Sequence, residues 1–139
     1  MVVFLPIKPK FAFPILDGIK RFEFRKSPFK QKIKKVVVYA SSPHQKILGV
    51  FDVKAIHKSR LWATWKKFGK HGGITRREYL EYFKGKEYVI SIEVGKIVRF
   101  TTPIHPQEVF SDFKVPQSYT YLNQSRFEAL LESQETLEV

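Results

Sequence analysis

Three residues able to bind anions or move protons fall close together in the segment Gly18 to Arg25, namely Lys20, Glu23 and Arg25. Within it Phe22 and Phe24 alternate with Arg21, Glu23 and Arg25, the period of two of a half-buried strand whose charged residues share one face. Lys20 precedes that strand at a turn, from which the backbone can direct its ammonium to the same face. Two chemistries suit such a cluster. Lys20 and Arg25 can hold a phosphate while Glu23 accepts from a base amino group, or Glu23 can act as a proton acceptor activated by desolvation. The plain alternative is an internal ion pair between Glu23 and a basic neighbour. Lys8, Ser41 and Ser42 are further donors for the same mouth, although serine before Pro43 also stabilises a turn unaided.

Other chemistries find little material. The absence of cysteine removes disulfides, thiolate metal sites and a thiol nucleophile. His44, His57, His71 and His105 lack metal-ligand spacing, so neither a metal nor a cofactor is expected. Trp65 continues a helical stripe with Leu61 and Phe68, which reads as core. Trp62 lies off that stripe and is as well suited to stacking a base.

The elements that must position the cluster follow from patterning. Val2 to Ile7 reads as a strand, then Pro9 opens a short helix through Leu16 that Gly18 stops and Pro14 strains. After the strand from Lys20 to Arg25 and a basic loop, the unbroken Val36 to Tyr39 run suits a strand covered on both faces. Ile47 to Ile56 is the next strand, with a bulge or close approach at Gly49. Two helices follow, one capped by Ser59, the other opened by a Thr75/Glu78 capping box and ended at Gly85. Tyr88 to Val94 alternates as a strand, and Ile97 to Phe100 is expected to pair back on it across Gly95 as a hairpin. A Ser125/Glu128 capping box should start a last helix that frays into an acidic tail. This is an α+β plan of about five or six strands around a small, closed or nearly closed sheet.

With 139 residues, 43% of them hydrophobic, the chain can bury one core, so one domain is expected. The opening MVVFLPIKPK lacks the order of a signal peptide and no window suits a membrane span, which predicts a cytoplasmic protein without membrane contact. Charge points to a partner. The net charge is +12, and residues 1 to 100 carry 23 basic against 7 acidic side chains. Such a chain gains binding free energy from counterion release at phosphates. The densest stretch, Arg21, Lys26, Lys30, Lys32, Lys34 and Lys35, is the expected approach surface around the cluster.

Several segments resemble the ASCH domain family in the order that family uses. They are Ile7 to Pro9, the intact G-x-K-x-x-E-x-R motif of Gly18, Lys20, Glu23 and Arg25, the run Val38 to Pro43, the Gly49 strand, the Thr75 to Phe83 helix and Pro116 to Tyr119. The resemblance covers roughly residues 2 to 122. It implies a PUA-like β-barrel, mostly antiparallel with flanking helices, with residues 1–122 as the domain and 123–139 as a C-terminal helix and acidic tail belonging to it. The motif then lines a ligand cleft, and RNA binding is expected from it together with the donors and basic residues read around it: Lys8, Lys20, Arg21, Glu23, Arg25, Lys26, Ser41 and Ser42. DNA and a protein partner remain as alternatives, the latter as in transcription-coactivator members. Other members are ribonucleases or amidohydrolases acting on modified cytidine. Were this chain an enzyme, Lys20 and Glu23 would be its catalytic pair. The amidohydrolase branch, however, uses a threonine where Glu23 stands, so its hydroxyl nucleophile is missing.

Overall fold

A computed structural model describes residues 1–138. Its centre is a pair of apolar strands, β1 (Val2–Ile7) and β3 (Lys35–Ala40), which run parallel with Val3 beside Val36 and Leu5 beside Val38. Both are buried on both faces, which is why neither shows polar alternation. Val3, Leu5, Val36 and Val38 turn toward α1 (Pro9–Leu16) and its buried Ala12, Ile15 and Leu16. Phe4 and Val37 face the opposite way, into a second core closed by Phe110, Phe113, Phe127 and Leu130.

The rest of the sheet grows from this centre. Strand β4 (Lys46–Arg60) pairs with β3 through its first half and with β5 (Tyr88–Ile104) along its length, and β5 in turn carries the short β2 (Phe22–Arg25). On the other side β6 (Thr120–Leu122) pairs with β1. The order is β2-β5-β4-β3-β1-β6, a mixed six-stranded sheet in which only the β1/β3 ladder is parallel. Register shifts in β4 around Gly49, Val53 and Ala55 bend the long strands, so the sheet coils like a barrel. It does not close: β2 and β6 are its two ends, with no ladder between them among the described residues. The closed or nearly closed barrel expected above is therefore an open one.

Helices α2 (Leu61–Phe68) and α3 (Arg76–Tyr82) cover a third apolar group of Phe22, Phe24, Tyr79, Phe83 and Val89. The Thr75/Glu78 capping box is formed as read. The cap of α2 is Arg60, not Ser59, and makes no side-chain bond, because β4 stays extended up to that residue. Residues 88–104 form one strand rather than a hairpin. Gly95 is a close approach, since a Cβ there would lie 2.8 Å from the Asp52 carbonyl oxygen. A short α4 (Pro106–Val109) leads toward α5 (Gln124–Glu138). Asn123 rather than Ser125 caps α5, its side-chain oxygen accepting from the Arg126 N–H at 2.8 Å. The acidic tail, expected to fray, is helical through Glu138, and Val139 lies outside the described residues. No helix among the described residues is long and apolar enough to cross a membrane.

Candidate functional site

The opening between the barrel's two ends holds the cluster. Helix α1 accommodates Pro14, whose carbonyl accepts from the backbone N–H groups of Ile19 and Lys20 after the chain reverses at Gly18 (φ 80°). That reversal sends the Lys20 side chain inward, where it is 2% exposed. Its ammonium donates to the Gly72 carbonyl and lies 5.3 Å from the ring centres of both Phe11 and Phe24. Gly72 and Gly73 make this seat. A Cβ on Gly72 would lie 2.4 Å from the Phe24 ring, and one on Gly73 (φ 59°) would lie 2.9 Å from the Lys20 stem.

Glu23, on β2, stands between two cations. One carboxylate oxygen is 3.5 Å from the Lys20 ammonium and the other 3.4 Å from the Arg25 guanidinium. Its side chain is 8% exposed, against 19% for Arg25. Arg25 also donates to the Ser118 carbonyl at 3.3 Å, just before β6, and so spans the gap in the barrel. Burial lowers the Lys20 pKa from its ordinary value, and the charge and hydrogen bonding of Glu23 oppose that only in part.

The cluster opens into a cleft of about 520 Å³ with apolar walls of Phe11, Phe24, Ile74 and Phe83. Helices α1 and α3 form its sides and are joined by the Lys10–Glu78 ion pair, whose hydrogen bond holds the Glu78 carboxyl below its usual pKa. Its size falls within the roughly 300–1,000 Å³ of small-molecule sites. A second hollow of about 540 Å³, lined by Tyr39, Gln45, His105 and Lys114 among others, shares Pro6, Ser41 and Gln117 with the first.

The expected site residues divide accordingly. Lys20, Glu23 and Arg25 are in mutual contact, and Lys8 and Ser41 line the same cleft. Ser42 lies instead in the second hollow, accepting from Gln45 at 3.3 Å. Lys26 sits at the rim, its ammonium 4.1 Å from the ring centre of Tyr82, which lines the cleft. Arg21 is not part of the cleft. It precedes β2, and its guanidinium donates to the Val94 carbonyl at 2.7 Å, so the period of two breaks down there. Lys35 pairs with Asp52 at 2.5 Å, which takes it out of the free basic stretch. Sequence reasoning missed Phe11, Lys10, Tyr82 and the Gly72–Gly73 seat. The adjacent glycines were the one local signal for the seat. Among the described residues no group of three or more His, Asp or Glu could hold a metal.

An open six-stranded α+β barrel with a buried Lys–Glu–Arg cluster at its seam and a cleft beside it is the class of fold that this chain defines. The chain belongs to the ASCH domain family, whose model matches residues 5–98. It is 27% identical over 130 residues to the ASCH domain-containing ribonuclease of Zymomonas mobilis, covering 88% of this chain and 85% of that protein. The crystal structure of ASCH from Zymomonas mobilis superposes with a TM-score of 0.87 at 24% identity, over 94% of each chain. The N-terminal domain of Staphylothermus marinus McrB shares the fold at a TM-score of 0.61 and 12% identity, over 94% of this chain and 93% of that one. The chain also matches the large ribosomal subunit protein uL22 of Ureaplasma parvum at 27% identity, but spans only 39% of its length.

Proposed function

We propose that this protein binds RNA by taking one nucleotide into the cleft between α1 and α3. The observation that carries this reading is the geometry around Glu23. Its two contacts, at 3.5 and 3.4 Å, are longer than the roughly 2.7–2.9 Å of a fully formed charge-assisted hydrogen bond. A buried carboxylate held so loosely retains acceptor capacity, and filling it stabilises a ligand that brings N–H donors, as a nucleobase edge does. The cluster as a whole carries one net positive charge, which suits the phosphate attached to that base. The apolar walls accept the faces of the base, and the cationic surroundings raise the local concentration of polyanion.

A second reading, RNA hydrolysis, is favoured by the relative named a ribonuclease and by the lowered Lys20 pKa, which makes its ammonium a readier proton donor. One experiment addresses both. A labelled single-stranded RNA is titrated with wild type, Arg25→Ala and Glu23→Gln at low and moderate salt, and the RNA is then run on a gel. Binding that weakens with salt and falls at least tenfold in Arg25→Ala, with intact RNA, supports recognition. Cleavage that disappears in folded Glu23→Gln promotes the hydrolase. Wild type that leaves the RNA both unbound and uncut removes both readings.

A further inference from the structure

The exposed aromatic side chains of this protein share a property that the cleft alone does not require. Among the described residues the large exposed apolar side chains include three aromatic ones, Trp62 at 50%, Tyr82 at 48% and Tyr88 at 39%. Each has a cation over its ring. The Lys26 ammonium is 4.1 Å from the Tyr82 centre, the Arg76 guanidinium 5.3 Å from Trp62, and Lys58 and Arg60 are 5.0 and 5.5 Å from Tyr88. Among the described residues, Arg60 alone of these cations has a carboxylate partner, Glu87 at 3.2 Å.

The ladder ties Tyr88 to the cleft, and Trp62 follows on from the strand that ends beside it. Arg25 on β2 lies opposite Ile90 on β5, and Ile90 lies opposite Lys58 on β4, so these three side chains stand in one row on one face. The next row on that face is Tyr88 opposite Arg60. Arg60 caps α2, in which Trp62 is the second residue, and the Leu61 N–H donates to the Glu87 carbonyl at 3.3 Å. At the other end Tyr82 already lines the cleft. The row therefore runs from the Lys20–Glu23–Arg25 cluster out across the first residues of β5 to the start of α2.

An exposed ring costs solvation and contributes little to folding where it lies. A ring with a loosely held cation is instead the unit by which single strands are bound without regard to sequence: the base stacks on the ring and the cation moves to the neighbouring phosphate. Between residues 58 and 77 there are seven basic and no acidic side chains, and the carboxylates beside the path are Glu81, at the cleft, and Glu87, paired with Arg60. We propose that Tyr82, Tyr88 and Trp62 form a stacking track that carries the single-stranded RNA flanking the nucleotide held in the cleft. This rests on the cleft being an RNA site and adds to it a direction and a length: one nucleotide recognised, about three more stacked outside.

The test separates the two ideas. Affinities of uridine monophosphate and of an oligouridylate of about ten nucleotides are measured for wild type, Arg25→Ala, Trp62→Ala and Tyr88→Ala, with thermal unfolding to confirm that each variant is folded. The track predicts that the oligonucleotide binds wild type far more tightly than the mononucleotide. Trp62→Ala and Tyr88→Ala should each lose about tenfold for the oligonucleotide and nothing for the mononucleotide, while Arg25→Ala loses both. Oligonucleotide affinity that is unchanged in Trp62→Ala and Tyr88→Ala, with Arg25→Ala still impaired, overturns the track and leaves the cleft intact. Wild type that binds neither ligand overturns both.

Discussion

Replacing Glu23 by glutamine keeps the shape of the cluster and removes its one negative charge. Lys20 would then keep an ammonium that is 2% exposed, with only uncharged partners to replace water: the Gly72 carbonyl, the new amide oxygen and two rings at 5.3 Å. Removing one partner of a buried pair typically costs about 3–5 kcal/mol, and the remaining carbonyl and rings place this case near about 3 kcal/mol. For a chain of this size that is a fall in Tm of roughly 10 °C. The deficit has a pH signature. Lys20 is a base whose folded pKa lies below its ordinary 10.5, so between those values the unfolded chain holds more protons and stability rises with pH. Glu23 is what holds the pKa up, and its loss widens the window downward. The gap between Glu23→Gln and wild type should therefore be largest near neutrality and shrink as the pH approaches about 10. Urea unfolding at several pH values measures it, with the double variant Glu23→Gln/Lys20→Met as the control that has no buried ammonium left to strand. A Glu23→Gln protein as stable as wild type, or one whose deficit ignores pH, would refute the desolvated ion pair.

Other perturbations follow from the same geometry. Gly73→Ala forces a side chain onto φ 59° and against the Lys20 stem, and should destabilise by about 1–2 kcal/mol in thermal unfolding. Tyr79→Phe removes a 2.7 Å hydrogen bond to the Leu61 carbonyl and should cost about 1 kcal/mol near neutral pH. Burial raises the Tyr79 pKa to about 12, so the phenol contributes stability below its ordinary 10 that is lost as pH rises through 12. The Tyr79→Phe deficit should shrink over that alkaline range. Reversing both Lys30 and Lys32 to Glu should weaken RNA binding about equally for all sequences and lower the slope of log affinity against log salt by about 1–2, measured by titration at several salt concentrations.

The core was largely legible because it obeys a period. The Val36–Tyr39 run, the Thr75/Glu78 cap and the facing of Glu23 with Arg25 all follow from local spacing and survive in the fold. What escaped was set by distant chain. Gly95 reads as a turn, but its missing Cβ makes room for the Asp52 carbonyl from another strand. Strand β6 has three residues, too few to show a period, and exists because Val2 to Phe4 offers an edge. Lys20 looked like a residue at a mouth. Its depth depends on Gly72 and Gly73, which nothing in the Gly18 to Arg25 segment foretells. Arg21 obeys the alternation of its neighbours in sequence, yet its guanidinium reaches Val94 because the ladder begins one residue later.

Strand β1 lies inside the sheet with β3 on one side and β6 on the other, so Val2 needs both Lys35 and Leu122 to complete its pairing. The middle of the sheet thus joins early chain to late chain, and its closure entropy must be met before those contacts reward it. Folding should then begin in the β4/β5 pair and the helices between them, with β1 held unfinished until residues 120–122 arrive. A cut or deletion near either of those strands would cost the centre of the protein rather than its margin.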